Sequence, residues 1–212
     1  MRKGLFVTFE GADGCGKSTQ ARYLKESLDA EGFDVILTRE PGGCPISEKI
    51  REIILDNDNQ DILDITEAYL YASARAQHVH EVIIPALEKG KIVLCDRFIH
   101  SSVAYQGYGR MLGKERVLEI NKHAIAGCLP DVTLFMMFDP KSGFERMKKR
   151  KSLDRLETQE NAFYKRLFEG YLKILEQKDD HMISIDASGS KFVTRKLIYK
   201  QISEILTQRG LK

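Results

Sequence analysis

A glycine-rich stretch near the start of the chain has the residue types and the spacing that bind phosphate groups. Residues 11–19 match the phosphate-loop pattern at every fixed position, with four variable residues between Gly11 and the run Gly16-Lys17-Ser18. In such a loop backbone N–H groups surround the phosphates, Lys17 contacts the β- and γ-phosphates, and the Ser18 hydroxyl binds Mg²⁺. The alternative is a glycine-rich turn that binds nothing, and the complete match argues against it. The predicted triphosphate-binding residues are Gly11, Ala12, Asp13, Gly14, Cys15, Gly16, Lys17, Ser18 and Thr19.

The residues on either side of this loop predict the elements that position it. Residues 5–9 are typical of a short buried strand. Between residues 18 and 28, Ala21, Leu24 and Leu28 recur at three- and four-residue steps, which predicts a helix. A strand, a glycine turn and a helix in this order aim backbone N–H groups and the helix dipole at one anion. The surrounding sequence therefore supports the phosphate loop.

The alternation of strands and helices continues along the chain. The sequence predicts strands at 4–9, 34–38, 91–95, 132–138 and 181–185, and helices at 45–55, 67–87, 114–125, 142–147, 161–176 and 192–206. Strands that alternate with long helices form a parallel sheet that is covered by helices. We therefore expect a single α/β domain over residues 1–212, with the phosphate-loop NTPase fold and a five-stranded parallel sheet with helices on both faces.

Polar residues gather where the predicted strands end. In parallel α/β sheets ligands bind beyond the carboxyl ends of the strands, and residues 13–19, 39–43 and 96–97 all follow such ends. There Asp96 can hold the water shell of Mg²⁺, and Arg97 can bind a phosphate oxygen through its planar guanidinium. A structural ion pair is the alternative, and it stays open for Asp96.

One dense basic run, residues 148–151, precedes the segment Asp154-Arg155-Leu156-Glu157. Alone it would indicate a solvated surface or a nucleic-acid patch. In a phosphoryl-transfer enzyme, a mobile basic segment can instead close over the phosphates and offset the charge of the transferring group. Because the phosphate loop already implies such chemistry, we interpret residues of about 146–157 as a lid.

The composition excludes several other classes of protein. The 33 basic and 31 acidic residues leave a net charge of +2, so there is no overall electrostatic signal for nucleic acid. The four cysteines have no metal-ligand spacing, and the five histidines are expected at surface or packing positions. The longest apolar run is too short to cross a bilayer. The apolar stretch after Lys3 ends at Glu10 and no small-residue cleavage site follows it, so we do not expect a signal peptide. We expect a soluble, cytoplasmic protein.

Five further motifs follow the phosphate loop in a fixed order along the chain. They are Thr38-Arg39-Glu40-Pro41-Gly42-Gly43, Tyr71-Ala72-Ser73-Ala74-Arg75, Asp96-Arg97-Phe98, Ser101-Ser102-Val103-Ala104-Tyr105-Gln106-Gly107 and Leu153-Asp154-Arg155-Leu156-Glu157. The phosphate loop alone indicates only a superfamily, whereas these motifs in this order are much more specific. With them the sequence resembles the thymidylate kinases of the bacterial type over nearly the whole chain.

The resemblance implies an ATP- and Mg²⁺-dependent enzyme that phosphorylates dTMP to dTDP in dTTP synthesis, and it implies a homodimer. The phosphate of dTMP would be bound by Arg51 and Arg97, which carry permanently charged, planar groups. The implied base contacts are stacking on Tyr71, where the family usually has Phe, and hydrogen bonds from Arg75, Ser102 and Gln106. The implied sugar contacts are Tyr105 against C2′ and Asp13 at the 3′-hydroxyl, while Glu40 would help to order the metal and phosphate region.

The sequence departs from the family pattern at Cys44, where many relatives have Thr. The phosphate loop also carries no arginine, unlike the eukaryotic type. The catalytic cation is therefore expected from the lid, with Arg150 favoured over Lys148 and Arg146. The expected catalytic residues are Lys17, Arg97, Arg150 and Asp96, with Ser18 and Asp96 at the metal.

Two other functions stay open at this point. Another small phosphate-loop kinase, acting on a nucleoside or a shikimate-like alcohol, would need a general base for its hydroxyl acceptor. The arginines Arg51 and Arg97 favour a monophosphate acceptor instead. A nucleotide-dependent switch would need a partner surface, whereas the aromatic residues Tyr71 and Tyr105 favour a nucleoside pocket.

Overall fold

A computed structural model describes residues 3–138, 143, 154–177 and 181–211 of the chain. Five parallel strands form one sheet in the order β2-β3-β1-β4-β5, which confirms the predicted fold class. The strands are β1 (Leu5–Glu10), β2 (Val35–Arg39), β3 (Ile92–Asp96), β4 (Val132–Met137) and β5 (Met182–Asp186). Each predicted strand is present, and every boundary differs from the prediction by a single residue or is unchanged.

Helices connect the strands along the described chain. They are α1 (Lys17–Ala30), α2 (Pro45–Leu55), α3 (Asp64–His78), α4 (Ile84–Glu88), α5 (Ile99–Ser102), α6 (Lys114–Ile125), α7 (Asn161–Glu176) and α8 (Lys191–Gln208). The single helix predicted over residues 67–87 is instead α3, a π-helical turn at Val79–Ile83, and α4. Pro85 lies at the start of α4, and a proline, which has no N–H to donate and whose ring crowds the preceding turn, is a known cause of such an interruption in a helix. A second π-helical segment, Val103–Gly109, follows α5 directly.

The three central strands of the sheet, β1, β3 and β4, are almost entirely buried, as expected for a parallel sheet covered on both faces, whereas the edge strands β2 and β5 are partly exposed. Alternate residues of β1 enter different apolar clusters. Phe6 packs with the cluster that includes residues of α7 and the second π-helical segment, such as Phe163 and Tyr105. Val7 and Phe9 belong to the cluster formed with α1 and α8. The two layers hold β1 in the middle of the molecule.

The strand register places the carboxyl ends of three strands side by side. Asp96 at the end of β3 pairs with Phe9 of β1 on one side and with Arg39 of β2 on the other. The loop after β1 and the loop after β2 therefore flank Asp96. This edge of the sheet is where the sequence predicts the ligand site.

Some expectations fall on parts of the chain that the structure does not describe. The predicted helix at 142–147 lies outside the described residues apart from Gly143. So do Arg146, Lys148 and Arg150 of the predicted lid, whose described portion is residues 154–157. Within the described ranges, each helix is either too short or too polar to cross a lipid bilayer.

Candidate active site

The loop between β1 and α1 folds tightly around the side chain of Lys17. Gly11 has a φ of +133°, and a Cβ atom there would lie 2.7 Å from the carbonyl oxygen of Met136. Only glycine fits both the backbone conformation and this close approach. The buried Lys17 ammonium donates hydrogen bonds to the carbonyl oxygens of Gly11 (2.9 Å) and Ala12 (2.8 Å). The charged end of Lys17 therefore lies within the curve of the loop.

Asp96 and Ser18 meet directly beneath this loop. The Ser18 hydroxyl donates a hydrogen bond of 2.5 Å to Oδ2 of Asp96. The other carboxylate oxygen, Oδ1, is buried and has no hydrogen-bond partner among the described residues. A carboxylate oxygen without a donor, next to a hydroxyl oxygen, is the kind of oxygen pair that Mg²⁺ takes from proteins in nucleotide sites. The two residues fit a magnesium ion that phosphate oxygens would also ligate.

Arg97 follows Asp96 in a left-handed backbone conformation, with a φ of +72°. Its backbone N–H donates to the carbonyl oxygen of Phe9 at 3.0 Å, which ties the turn to the end of β1. Its guanidinium donates to a carboxylate oxygen of Asp13 and to the hydroxyl of Ser101 at 3.0 Å. Burial by itself lowers the pKa of Arg97, but the charge of Asp13 raises the pKa well above its ordinary value. The side chain is therefore a fixed positive charge at the loop.

Tyr105 packs against the same guanidinium. Its ring centroid lies 5.1 Å from the central carbon of Arg97, and its hydroxyl donates to Oδ2 of Asp13. The ring contacts Phe163 and Tyr171 edge-on, with centroid distances of 6.2 and 6.4 Å. Burial raises the pKa of the Tyr105 phenol well above its ordinary value, so the hydroxyl stays protonated and remains a donor. These contacts hold the ring in one orientation.

A buried polar network lies on the other side of the cavity. Arg75 donates from Nε to Glu40 at 2.7 Å and from Nη1 to the Ser102 hydroxyl at 3.0 Å. The second oxygen of Glu40 lies 3.1 Å from Nδ1 of His78, whose Nε2 is 2.7 Å from the Thr38 hydroxyl. Both oxygens of Glu40 are therefore engaged by α3. The contacts of His78 could not be anticipated from the sequence, because histidine spacing along a helix carries no information about a partner in another element.

Arg51 and Tyr71 complete the wall of the cavity. Arg51 donates to the carbonyl oxygen of Pro41 at 2.8 Å. Burial and the neighbouring positive charge of Arg39 both lower the pKa of Arg51, although its guanidinium remains charged. Burial also raises the pKa of the Tyr71 phenol. Two guanidinium groups that repel each other at a cavity wall favour an anion between them.

These residues surround one cavity of about 540 Å³. Most of the site residues that the sequence predicted line this cavity, both those of the phosphate loop and those expected to bind the substrate. They are Asp13, Gly14, Gly16, Lys17, Ser18, Thr19, Glu40, Arg51, Tyr71, Arg75, Asp96, Arg97, Ser102, Tyr105 and Gln106. Gly11, Ala12 and Cys15 of the loop are not in its lining, and Arg150 lies outside the described residues.

Sequence reasoning did not select several other residues at this cavity. Leu55, Phe98 and Ser101 line it, and Asp154 and Glu157 enter it from the segment after the basic run. Ser101 also donates to the buried Glu10 at 2.5 Å. Ser101 and Asp154 could have been selected from the sequence, because both belong to the motifs that carry the family resemblance.

The sheet order, the glycine loop around a lysine, and a single cavity that joins this loop to buried arginines and aromatic rings define a phosphate-loop kinase. The family model for thymidylate kinase matches residues 9–198 of the chain. The chain belongs to the thymidylate kinase family.

Similar proteins agree with this membership. The chain is 51% identical over 188 residues to a thymidylate kinase of Geobacillus sp. (strain WCH70), covering 88% of this chain and 90% of that protein. It is 45% identical over 204 residues to a thymidylate kinase of Caldanaerobacter subterraneus subsp. tengcongensis, covering 96% and 97%. A crystal structure of thymidylate kinase from Ehrlichia chaffeensis superimposes with a TM-score of 0.75 at 30% identity, covering 94% of this chain and 98% of that one.

Proposed function

We propose that the protein transfers the γ-phosphoryl group of ATP to dTMP and releases dTDP and ADP. The observation that carries this proposal is that Lys17 lines the same cavity as Tyr71 and Tyr105. A donor phosphate at the loop and an acceptor phosphate beside Arg97 would then meet within one cavity. This is the arrangement that direct transfer between two nucleotides requires.

The acceptor phosphate is assigned to Arg51 and Arg97. Arg97 is held at the end of β3 by Asp13 and Ser101, and Arg51 stands at the wall beside Arg39. Together with Arg39, these guanidinium groups in the cavity lining support a dianionic monophosphate rather than a neutral alcohol as acceptor. Because a phosphate oxygen is already a nucleophile, positioning and charge neutralisation are sufficient, and no general base is needed.

The thymine base is assigned to the side of the cavity formed by α3 and the second π-helical segment. Tyr71 supplies an aromatic face, while Arg75, Ser102 and Gln106 supply polar groups at its edge. Arg75 is fixed by its ion pair with Glu40, so we assign Glu40 the role of orienting Arg75. Tyr105 and Asp13 are assigned to the sugar.

Mg²⁺ is assigned to Ser18 and Asp96, supported by the unpartnered Oδ1 of Asp96. A bound magnesium ion would neutralise phosphate charge during transfer. Lys17 would supply a second fixed charge at the β- and γ-phosphates. Arg150 is proposed as the lid cation that offsets charge on the transferring group.

Two further assignments concern the assembly and the setting of the protein. We propose a homodimer, as the family resemblance implies, and a cytoplasmic location. Leu63 and Tyr69, at and near the start of α3, are 68% and 57% exposed, and such apolar groups are candidates for the interface between two copies.

The test is an assay of ADP release with each nucleoside monophosphate in turn and, separately, with thymidine. The proposal predicts the highest kcat/KM for dTMP, a lower value for dUMP, and no comparable activity with thymidine. Efficient use of thymidine would indicate a nucleoside kinase, and slow hydrolysis that no acceptor stimulates would indicate a nucleotide-dependent switch. Either result would contradict the proposal.

A further inference from the structure

A buried carboxylate on α3 lies behind the base side of the cavity and has no part in the mechanism above. Glu67 is fully buried, with an exposed fraction of 0%. Its Oε1 accepts hydrogen bonds from Gln106 at 2.9 Å and from Nε of Arg110 at 3.3 Å. Its Oε2 accepts from Arg110 at 3.0 Å and from Arg155 at 2.5 Å. One carboxylate on α3 therefore contacts three residues from two other parts of the chain, the second π-helical segment with its C-terminal cap and the segment around Arg155.

The contact with Arg155 links this carboxylate to the segment that follows the basic run. Arg155 is also buried, and its Nε donates to the carbonyl oxygen of Ile54 at 2.8 Å. Its backbone N–H donates to the carbonyl oxygen of Leu55 at 3.2 Å. Residues 154–157, which bring Asp154 and Glu157 to the cavity, are thus anchored to α2 and α3 through Arg155.

The contact with Gln106 determines which end of its amide faces Glu67. A carboxylate flanked by two guanidinium groups offers only lone pairs, so Gln106 must direct its NH₂ group toward it. Its carbonyl oxygen, Oε1, is buried and has no hydrogen-bond partner among the described residues. Because Gln106 lines the cavity, the group left for a ligand is an acceptor. An unsatisfied buried acceptor costs free energy until a donor reaches it.

We propose that Glu67 is a positioning residue that sets the hydrogen-bond polarity of Gln106 and thereby the choice of pyrimidine. This inference rests on the proposed function. Thymine carries an N3–H donor that matches the free Oε1 of Gln106, whereas N3 of cytosine is an acceptor. Two acceptors facing each other in a buried site repel, so the carboxylate behind Gln106 selects against cytosine.

The test is the substitution Glu67→Gln, measured with dTMP and with 5-methyl-dCMP. The two nucleotides share the methyl group and the sugar, and they differ only at N3 and at position 4. A glutamine at 67 can donate as well as accept, so the amide of Gln106 is free to rotate and present its NH₂ group to N3. We expect the ratio of kcat/KM for dTMP over 5-methyl-dCMP to fall at least about tenfold, chiefly through KM.

Three controls separate this role from a structural one. Arg110→Gln removes an ion pair of Glu67 at a residue outside the cavity lining; it should lower Tm without changing the ratio. In a Gln106→Ala background, Glu67→Gln should have no further effect on the ratio, because the group it acts through is gone. If Glu67→Gln does not fold, Glu67→Asp keeps the charge but retracts the carboxylate from Gln106, and the ratio should fall there as well.

The outcomes distinguish this inference from the function on which it rests. A wild-type protein without dTMP kinase activity would overturn the proposed function itself. An active wild type whose ratio is unchanged in folded Glu67→Gln or Glu67→Asp would overturn the role of Glu67 alone. An equal fall of the ratio in Arg110→Gln would also overturn it, because the effect would then follow from lost packing.

Discussion

The hydroxyl of Tyr105 donates a hydrogen bond to the carboxylate of Asp13, a residue 92 positions earlier in the chain. Asp13 belongs to the phosphate loop, and Tyr105 belongs to the π-helical segment after α5. The contact therefore fixes the distance between the donor side and the acceptor side of the cavity. It also holds an aromatic ring at the position assigned to the sugar of the acceptor.

Selectivity for deoxyribose should depend on the bulk of the Tyr105 ring. A 2′-hydroxyl against this ring would clash or stay buried without a partner, and the latter alone costs about 1–3 kcal/mol. Tyr105→Phe should preserve discrimination between dTMP and ribothymidine monophosphate, whereas Tyr105→Ala should relax it. The measurement is kcat/KM for both nucleotides with each variant, alongside Tm because the ring also packs on Phe163 and Tyr171. Unchanged discrimination in a folded Tyr105→Ala variant would refute this assignment.

Loss of the lysine in the phosphate loop should affect chemistry far more than folding. Lys17→Ala is expected to lower kcat by at least about 10²-fold, the scale of one preorganised charge in a transition state. Lys25→Ala, on the same helix but ion-paired with Asp29 at the surface, should be close to wild type. Turnover and Tm of both variants provide the check. Near-normal turnover in folded Lys17→Ala would exclude the phosphate-loop mechanism.

The magnesium assignment predicts a changed metal dependence when Asp96 is neutralised. Ser18 donates to only one carboxylate oxygen of Asp96. In Asp96→Asn, the other oxygen becomes either an amide oxygen, which is a weaker metal ligand, or an NH₂ group, which is a hydrogen-bond donor. We expect half-maximal activity to require at least about tenfold more Mg²⁺, together with a lower kcat. The exposed Asp34→Asn, at the opposite end of the sheet, is the matched control. If the dependence of activity on Mg²⁺ is unchanged in Asp96→Asn, Asp96 is not a magnesium ligand and its role is limited to the hydrogen bond with Ser18.

The lid assignment predicts a difference between neighbouring cations. Arg150→Ala should reduce kcat by about 10³-fold with little change in dTMP binding, as expected for a cation that acts only on the transferring group. Arg146→Ala and Lys148→Ala should be milder. Single-turnover kinetics measure the rate of phosphoryl transfer, and a separate binding measurement gives the affinity for dTMP, so the two effects of each substitution can be distinguished. If Arg146→Ala is the severely defective variant instead, the catalytic cation is Arg146 and not Arg150, and the assignment of this segment as a lid still holds.

Local patterns in the sequence determined much of this protein. The glycines and the lysine of the phosphate loop lie within nine consecutive residues, and the strand before it and the helix after it depend on short-range periodicity. Motif order along the chain was also sufficient to predict the family, which the comparisons confirmed. Because parallel strands end at one edge, even the convergence of Asp96 with the phosphate loop followed from the strand pattern.

Only the tertiary structure decided which side chains hold these groups in place. Glu67 and His78 are polar residues in the pattern of α3, and nothing in their spacing distinguishes them from solvent-facing residues. Their partners, such as Arg155 and Thr38, lie 88 and 40 positions away. A buried charge requires donors from elements that meet only when the chain folds, and no local periodicity encodes such a meeting. The sequence thus determined the reacting groups and their scaffold, whereas folding selected the partners that orient them.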